Sequence, residues 1–164
     1  MGKNANEEIK YYNLTIPQEN IWLTEQLNQN TTINNIYGTL FIDKKLDLEL
    51  LKAAINKMIE NNDALRIRIV EQNAKPMQYI ADYEYDDIPV YFVDDNEEET
   101  INNIIHTIGL EHINPINNKL YDFRIIYCPS KVYLCVKMHH IIADAWSMAQ
   151  LFVEHLGLFY EQAE

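Results

Sequence analysis

Apolar runs and amphipathic stretches follow one another along the whole chain. The apolar or alternating runs predict strands, because successive side chains of a strand point to opposite faces of a sheet. These runs lie at 36–42, 65–70, 77–80, 89–93, 121–127 and 132–138. Apolar residues at helical spacing predict helices over 15–28, 47–61, 96–112 and 145–160. The pattern therefore predicts an α/β fold, a two-layer sandwich in which helices pack on a mixed, mostly antiparallel sheet.

The predicted strands also suggest how they pair. Residues 36–42 are apolar on both faces, which indicates a central strand. Residues 65–70 and 77–80 are close enough to form one hairpin, and 121–127 with 132–138 form another around Pro129-Ser130.

Residues at the helix ends support the helix assignments. Thr15 and Gln18 have the spacing of a capping box, as do Asp95 and Glu98, while Asp47 is suited to cap the helix that follows it. The first helix is predicted to bury the stripe Ile16, Leu23 and Leu27. The last is predicted to present Met148, Leu151, Phe152, His155 and Phe159 on one face.

Composition narrows the class of protein. With 164 residues and 48% apolar residues, the chain can form one compact domain over 14–164, preceded by a flexible leader over 1–13. The sequence contains no run of about 18 apolar residues, so no membrane span is predicted. The chain has two cysteines and no predicted signal peptide, which favours a cytoplasmic protein. The net charge of −12 argues against nucleic-acid binding. The sequence contains no glycine-rich loop, so no nucleotide site is predicted.

The turn between the last predicted strand and the last helix contains His139, His140 and Asp144. Adjacent residues of an extended backbone point to opposite faces, so only one histidine can serve a given pocket. A purely structural reading stays open, in which Asp144 caps the helix and both histidines are half-buried polar residues. A zinc site is not predicted, because Cys128 and Cys135 lie on a hairpin and the other histidines lie on helices.

This turn resembles the HHxxxDG signature of condensation domains from non-ribosomal peptide synthetases, within the chloramphenicol-acetyltransferase-like superfamily. Residues 15–23 are similar to the first motif of that family, and 62–69 to its second, in the same order. Ala145 replaces the glycine of the signature, Ala143 replaces a common serine, and Asn61-Asn62 replaces an Arg-His pair. The resemblance covers the N-terminal lobe of a two-lobed domain.

The resemblance implies roles for individual residues. His140 takes the catalytic position, and His139 supports the fold of the turn. Asp144 is expected to pair with Arg66 of the second motif, with Arg68 and Arg124 as rival partners. Ala145 belongs to the same supporting set.

The resemblance also implies a reaction, with substrates held by other domains. Amide formation joins two thioesters carried on the phosphopantetheine arms of carrier domains, so carrier domains and a C-terminal lobe are the expected partners. No directly bound cofactor, metal, nucleic acid or membrane is expected. An isolated lobe is expected to be inactive. The alternatives are a non-catalytic carrier-docking module, a coenzyme A-dependent acyltransferase and an epimerisation-domain fragment.

Overall fold

The computed structural model describes residues 9–163, except for the side chains of 153–155, 162 and 163. The strands are β1 (Tyr12–Asn13), β2 (Asn35–Ile42), β3 (Ile67–Gln72), β4 (Lys75–Ile80), β5 (Val90–Phe92), β6 (Tyr121–Tyr127) and β7 (Val132–His139). The helices are α1 (Ile16–Leu27), α2 (Leu48–Asn61), α3 (Asp63–Arg66), α4 (Glu98–Leu110), α5 (Ala145–Ala149) and α6 (Gly157–Ala163). A π-helical segment, Gln150–Leu156, joins α5 to α6.

The main sheet has the strand order β2-β7-β6-β5. Its β2/β7 and β6/β7 pairs are antiparallel and its β5/β6 pair is parallel. The α/β class with a mixed, mostly antiparallel sheet is therefore confirmed, as is the hairpin of β6 and β7. The central position predicted for β2 is wrong, because β2 is an edge strand among the described residues. Apolar residues on both faces of β2 indicate that both faces are partly covered by other elements. They do not indicate whether the backbone at each edge of the strand is hydrogen-bonded to another strand.

Helices cover both faces of this sheet. On one face, α2 and the C-terminal helical segments pack on inward-facing residues of β6 and β7 around Ile55, Met58 and Leu134. On the other face, α4 contributes Ile101 and Ile108 to a smaller cluster and adds a further layer. The C-terminal segments thus pack on the sheet as predicted, although a π-helical segment interrupts the single helix predicted over 145–160. The side chain of His155 lies outside the described part.

A buried lysine ties α4 to the sheet. Lys137 of β7 is 1% exposed, and its ammonium group donates to the carbonyl oxygen of Ile108 at 2.8 Å. The Asp122 carboxylate lies 3.2 Å from the same nitrogen. A cation at the last turn of a helix interacts favourably with the helix dipole, so Lys137 orients the C-terminus of α4.

A second sheet has the order β1-β4-β3. The predicted hairpin is confirmed as β3 and β4, joined by Asn73 and Ala74 in left-handed conformations. Residues 65–66 belong to α3, so the first residues of the predicted strand are wrong. Tyr12 and Asn13 pair with β4, so this end of the predicted leader belongs to the sheet, while residues 1–8 lie outside the described range.

The first helix turns a different face inward from the one predicted. Ile16, Leu23 and Leu27 are 76%, 59% and 84% exposed, whereas Trp22 and Glu25 are buried. Trp22 packs in a cluster with Ile69, Leu120 and Ile141, residues that belong to β3 and to the segments flanking the main sheet. The face of α1 that packs on this cluster is the one with the large Trp22 side chain. Glu25 lies three residues further on, on the same face, and is therefore buried together with Trp22.

The helix starts agree with the sequence in two of three cases. The side chain of Gln18 accepts the backbone N–H of Thr15 at 2.9 Å, and Asp47 accepts the N–H of Leu50 at 2.9 Å. The capping box predicted for Asp95 and Glu98 is wrong. Helix α4 begins one residue after its N-cap, Glu97, whose side chain accepts the backbone N–H of Asp94 instead.

Candidate active site

The two adjacent histidines occupy opposite environments. His139 ends β7 and is 0% exposed, whereas His140 opens the turn and is exposed. The backbone N–H of His140 donates to the carbonyl oxygen of Asn34 at 2.7 Å. The prediction that the two side chains point to opposite faces is therefore confirmed, and His140 is the solvent-exposed histidine of the pair.

The His139 imidazole bonds at both ring nitrogens. Its Nδ1 accepts the backbone N–H of Ile141 at 3.1 Å, so the ring proton of the neutral form lies on Nε2. Nε2 is 3.3 Å from a carboxylate oxygen of Glu25 and donates to it. Burial lowers the pKa of His139, with Glu25 acting in the opposite direction. A buried neutral imidazole with both nitrogens engaged has a structural role.

Glu25 collects three donors inside the protein. Its carboxylate accepts Asn34 Nδ2 at 2.6 Å and lies 2.8 Å from His112 Nε2, in addition to His139. Burial by itself raises the pKa of Glu25, but the hydrogen bonds from Asn34, His112 and His139 outweigh it and lower that pKa. The carboxylate is thus kept ionised at 3% exposure by its partners.

Glu25, Asn34 and His112 were not predicted from the sequence as residues that support the turn. A signal for Glu25 existed, since it lies three residues after Trp22 and shares its helix face. No local signal existed for Asn34 or His112, which lie 9 and 87 residues from Glu25 in the chain.

Helix α1 holds the turn at a second point. Gln18 Nε2 donates to the carbonyl oxygen of Ile141 at 3.2 Å and to Gln78 Oε1 at 2.9 Å. Gln18 and Glu25 are two helical turns apart, with Trp22 between them on the same face. The contact from Gln18 to Ile141 therefore positions α1 against the turn.

Asp144 caps its own helix. One carboxylate oxygen accepts both the backbone N–H and the hydroxyl of Ser147, each at 2.7 Å. The bonds from the Ser147 backbone and side chain lower the pKa of this exposed carboxyl. The predicted Asp144–Arg66 pair is wrong, because the extended backbone at Asp144 turns its side chain toward the first turn of α5.

Each candidate arginine has other partners. Arg66, at the end of α3, pairs with Asp63 and donates to the carbonyl oxygen of Ala81 at 2.9 Å. Arg68 donates to its neighbour's carbonyl oxygen, that of Ile67, at 2.8 Å. The third candidate, Arg124, pairs with Asp122 and Glu111. Within the described part of the chain, none of the three arginines binds Asp144.

The alanines that replace family residues fit their positions. Ala145 is exposed at the start of α5 and is not among the residues with positive φ, so its backbone does not require glycine. Ala143 is buried in the main core. Trp146, in the first turn of α5, is 73% exposed.

The described residues contain neither a metal-site cluster nor a membrane-spanning helix. No group of three or more His, Cys, Asp or Glu side chains in this part of the chain has the arrangement of a metal site. Among the same residues, no helix has the length and apolar character needed to cross a membrane.

The chain is an α/β lobe that presents one histidine of an HHxxxD turn and buries the other. The chain belongs to the condensation-domain family, because the family profile described as "Condensation domain" matches residues 8–164. Surfactin synthase subunit 1 of Bacillus subtilis (strain 168) is 34% identical over an alignment of 166 residues, and this alignment covers 95% of the present chain. The chain spans 4% of that relative's length.

Solved structures show the same fold. A variant of the starter condensation domain of rhizomide synthetase RzmA aligns with a TM-score of 0.83 and 19% identity, covering 92% of this chain and 37% of that one. The first condensation domain of the CDA synthetase aligns with a TM-score of 0.82 and 18% identity, covering 92% of this chain and 40% of that one. The chain therefore corresponds to a partial region of a condensation domain, its N-terminal lobe.

Proposed function

We propose that this chain supplies the histidine-bearing half of an amide-forming condensation site, with His140 as its catalytic residue. The observation that carries the proposal is the contrast within the turn. The His140 imidazole is exposed, while the backbone on either side of it is bonded to buried groups. A reactive side chain on a rigid backbone is what an active site requires.

Condensation makes two demands that histidine can meet. When an amine attacks a thioester carbonyl, negative charge develops on oxygen and the attacking nitrogen must lose a proton. An imidazole that titrates near neutral pH can accept this proton, and its N–H can donate to the developing charge. His140 acts in one of these two ways on acyl groups carried by the phosphopantetheine arms of carrier domains.

The lobe on its own is expected to be inactive, since both thioesters must be held together in a passage that excludes water. The chain covers 37% of a solved condensation-domain chain, so it provides only part of such a passage. The remaining walls would come from a C-terminal lobe.

The test uses a complete condensation domain that contains this chain, supplied with two loaded carrier domains. We expect amide product from the complete domain, and a loss of about 10²–10⁴-fold in rate for His140→Ala, the usual effect of removing a general acid or base. His106→Ala, an exposed histidine on α4, is the matched control and should retain the rate. Product from the isolated chain above its own His140→Ala background would contradict the expected inactivity.

A coenzyme A-dependent acyltransferase is the second candidate. One observation favours it: a variant of the RzmA starter condensation domain was solved in complex with C8-CoA. The same complete domain should then acylate a free amine from acyl-coenzyme A at a rate comparable with that from a loaded carrier domain. A domain that binds carriers but forms no amide from either donor would identify a non-catalytic docking module.

A further inference from the structure

We propose that Glu25 is a positioning residue for His140, and that it acts from α1 on the two peptide N–H groups at His140 and Ile141. The proposal rests on the proposed function only for the role of His140. The anchoring itself is a property of this chain and can be measured without turnover.

The first route from Glu25 to the turn passes through Asn34. The Asn34 side chain donates to the Glu25 carboxylate at 2.6 Å, and the backbone carbonyl oxygen of Asn34 accepts the His140 N–H at 2.7 Å. Asn34 is itself 6% exposed. Glu25 thereby fixes the residue that receives the backbone of the catalytic histidine.

The second route passes through His139. Its Nδ1 accepts the Ile141 N–H only when the ring proton is on Nε2, and Nε2 points at Glu25 at 3.3 Å. The carboxylate therefore selects the tautomer that holds the peptide after His140. The backbone N–H groups of His140 and Ile141 thus donate to Asn34 and His139, and both of these residues are bound by Glu25.

The charged and titratable groups around this carboxylate come from several elements. His139 faces it from β7, and His112 faces it from the segment after α4, at 2.8 Å. His140 lies next along the chain, within electrostatic range of His139. A pocket of about 200 Å³ lined by Glu25, His112 and neighbouring amide side chains opens beside them. His112, with 18% of its side chain exposed, is the outer member of the cluster.

An ionised carboxylate satisfies this arrangement. Asn34, His112 and His139 each present a donor, and an ionised carboxylate has acceptors alone. Asn34 and His139 bind one carboxylate oxygen of Glu25, and His112 binds the other. The isosteric Glu25→Gln therefore keeps one neutral acceptor oxygen for Asn34 and His139 and turns its NH₂ group toward His112. The variant retains the volume of Glu25 but replaces the charge-assisted hydrogen bonds of both routes by weaker neutral ones.

The experiment is side-chain and amide NMR on the 164-residue chain, comparing the parent with Glu25→Gln. In the parent, ¹⁵N shifts should show His139 as the neutral Nε2–H tautomer, and the amides of His140 and Ile141 should exchange slowly. In Glu25→Gln we expect these two amides to exchange about tenfold faster relative to the Leu134 amide of β7, roughly the worth of one hydrogen bond. The ¹⁵N shift of His139 Nε2 should change as well, because its acceptor becomes a neutral oxygen.

Glu19→Gln is the matched control, since it removes the same charge from an exposed position of α1. It should leave the tautomer and both amides unchanged. Equal acceleration of His140, Ile141 and Leu134 in Glu25→Gln would mean general destabilisation and would overturn the proposal. So would a parent His139 with its proton on Nδ1.

A second variant keeps the proposal testable if Glu25→Gln does not fold. Asn34→Ala interrupts the first route alone, so the His140 amide should accelerate about tenfold while the Ile141 amide changes much less. Acceleration of both amides to the same extent would contradict two separate routes. Neither result depends on whether the complete domain forms amides.

Discussion

The two ends of the HHxxxD turn are held in opposite ways. At its start, the buried His139 is bonded to Glu25, which lies 114 residues away in the chain. At its end, the exposed Asp144 is bonded to Ser147, which lies three residues away. The first end depends on long-range contacts between buried groups, and the second is a local helix cap. Structural support for the turn is therefore concentrated at the His139 end.

The strongest test of this difference is removal of the buried imidazole. His139→Ala leaves the Glu25 carboxylate with one donor fewer and opens a cavity, so we expect the free energy of unfolding to fall by about 3–5 kcal/mol. Urea unfolding measures it. His106→Ala, on the exposed face of α4, should change the same quantity by less than about 0.5 kcal/mol. A comparable loss of unfolding free energy in His139→Ala and His106→Ala would contradict the conclusion that support for the turn is concentrated at its His139 end.

Acidification should weaken the His139 end next. Burial lowers the pKa of His139 from 6.5, and hydrogen bonds lower that of Glu25 from 4.5 despite its burial. The unfolded chain therefore takes up these protons at higher pH than the folded chain does. The free energy of unfolding should decline as the pH falls below about 6.5, and decline further below about 4.5.

Urea unfolding at a series of pH values checks this expectation. The part of the decline that begins near pH 6.5 should be smaller in His139→Ala than in the parent chain, because the lowered pKa of His139 contributes to it. Stability that rises between about pH 7 and pH 5 would contradict a neutral His139 in the fold.

Removal of the cap should have a smaller effect. Asp144→Ala deletes the side chain that accepts the Ser147 N–H and hydroxyl, so the urea midpoint should fall, but by less than in His139→Ala. Asp144→Asn keeps a capping oxygen and should recover most of the loss. In a double-mutant cycle, Asp144→Ala and Arg66→Ala should be additive. Strong coupling between the two substitutions would support the Asp144–Arg66 ion pair that the family resemblance implied.

The smallest effect on stability should come from His140 itself. Its side chain is exposed, so His140→Ala should change the free energy of unfolding by no more than about 0.5–1 kcal/mol. The measurement is the same urea titration, with the parent chain beside it. A loss as large as that of His139→Ala would make His140 a structural histidine and weaken its assignment as the catalytic residue.

The sequence alone determined the local features of this protein. Hydrophobic periodicity located the helices and the main strands, and capping residues such as Asp47 marked helix starts correctly. The alternation of a strand separated His139 from His140. These features depend on residues close together in the chain, so they can be read from it directly.

Only the tertiary structure decided which groups meet across the chain. It placed β2 at an edge of the sheet and turned Glu25, rather than Leu23 and Leu27, toward the interior. It also gave Asp144 a local partner in place of Arg66. The reason is that a buried carboxylate is stable only where several donors converge on it. The donors for Glu25 come from Asn34, His112 and His139, and their convergence exists only in the folded chain.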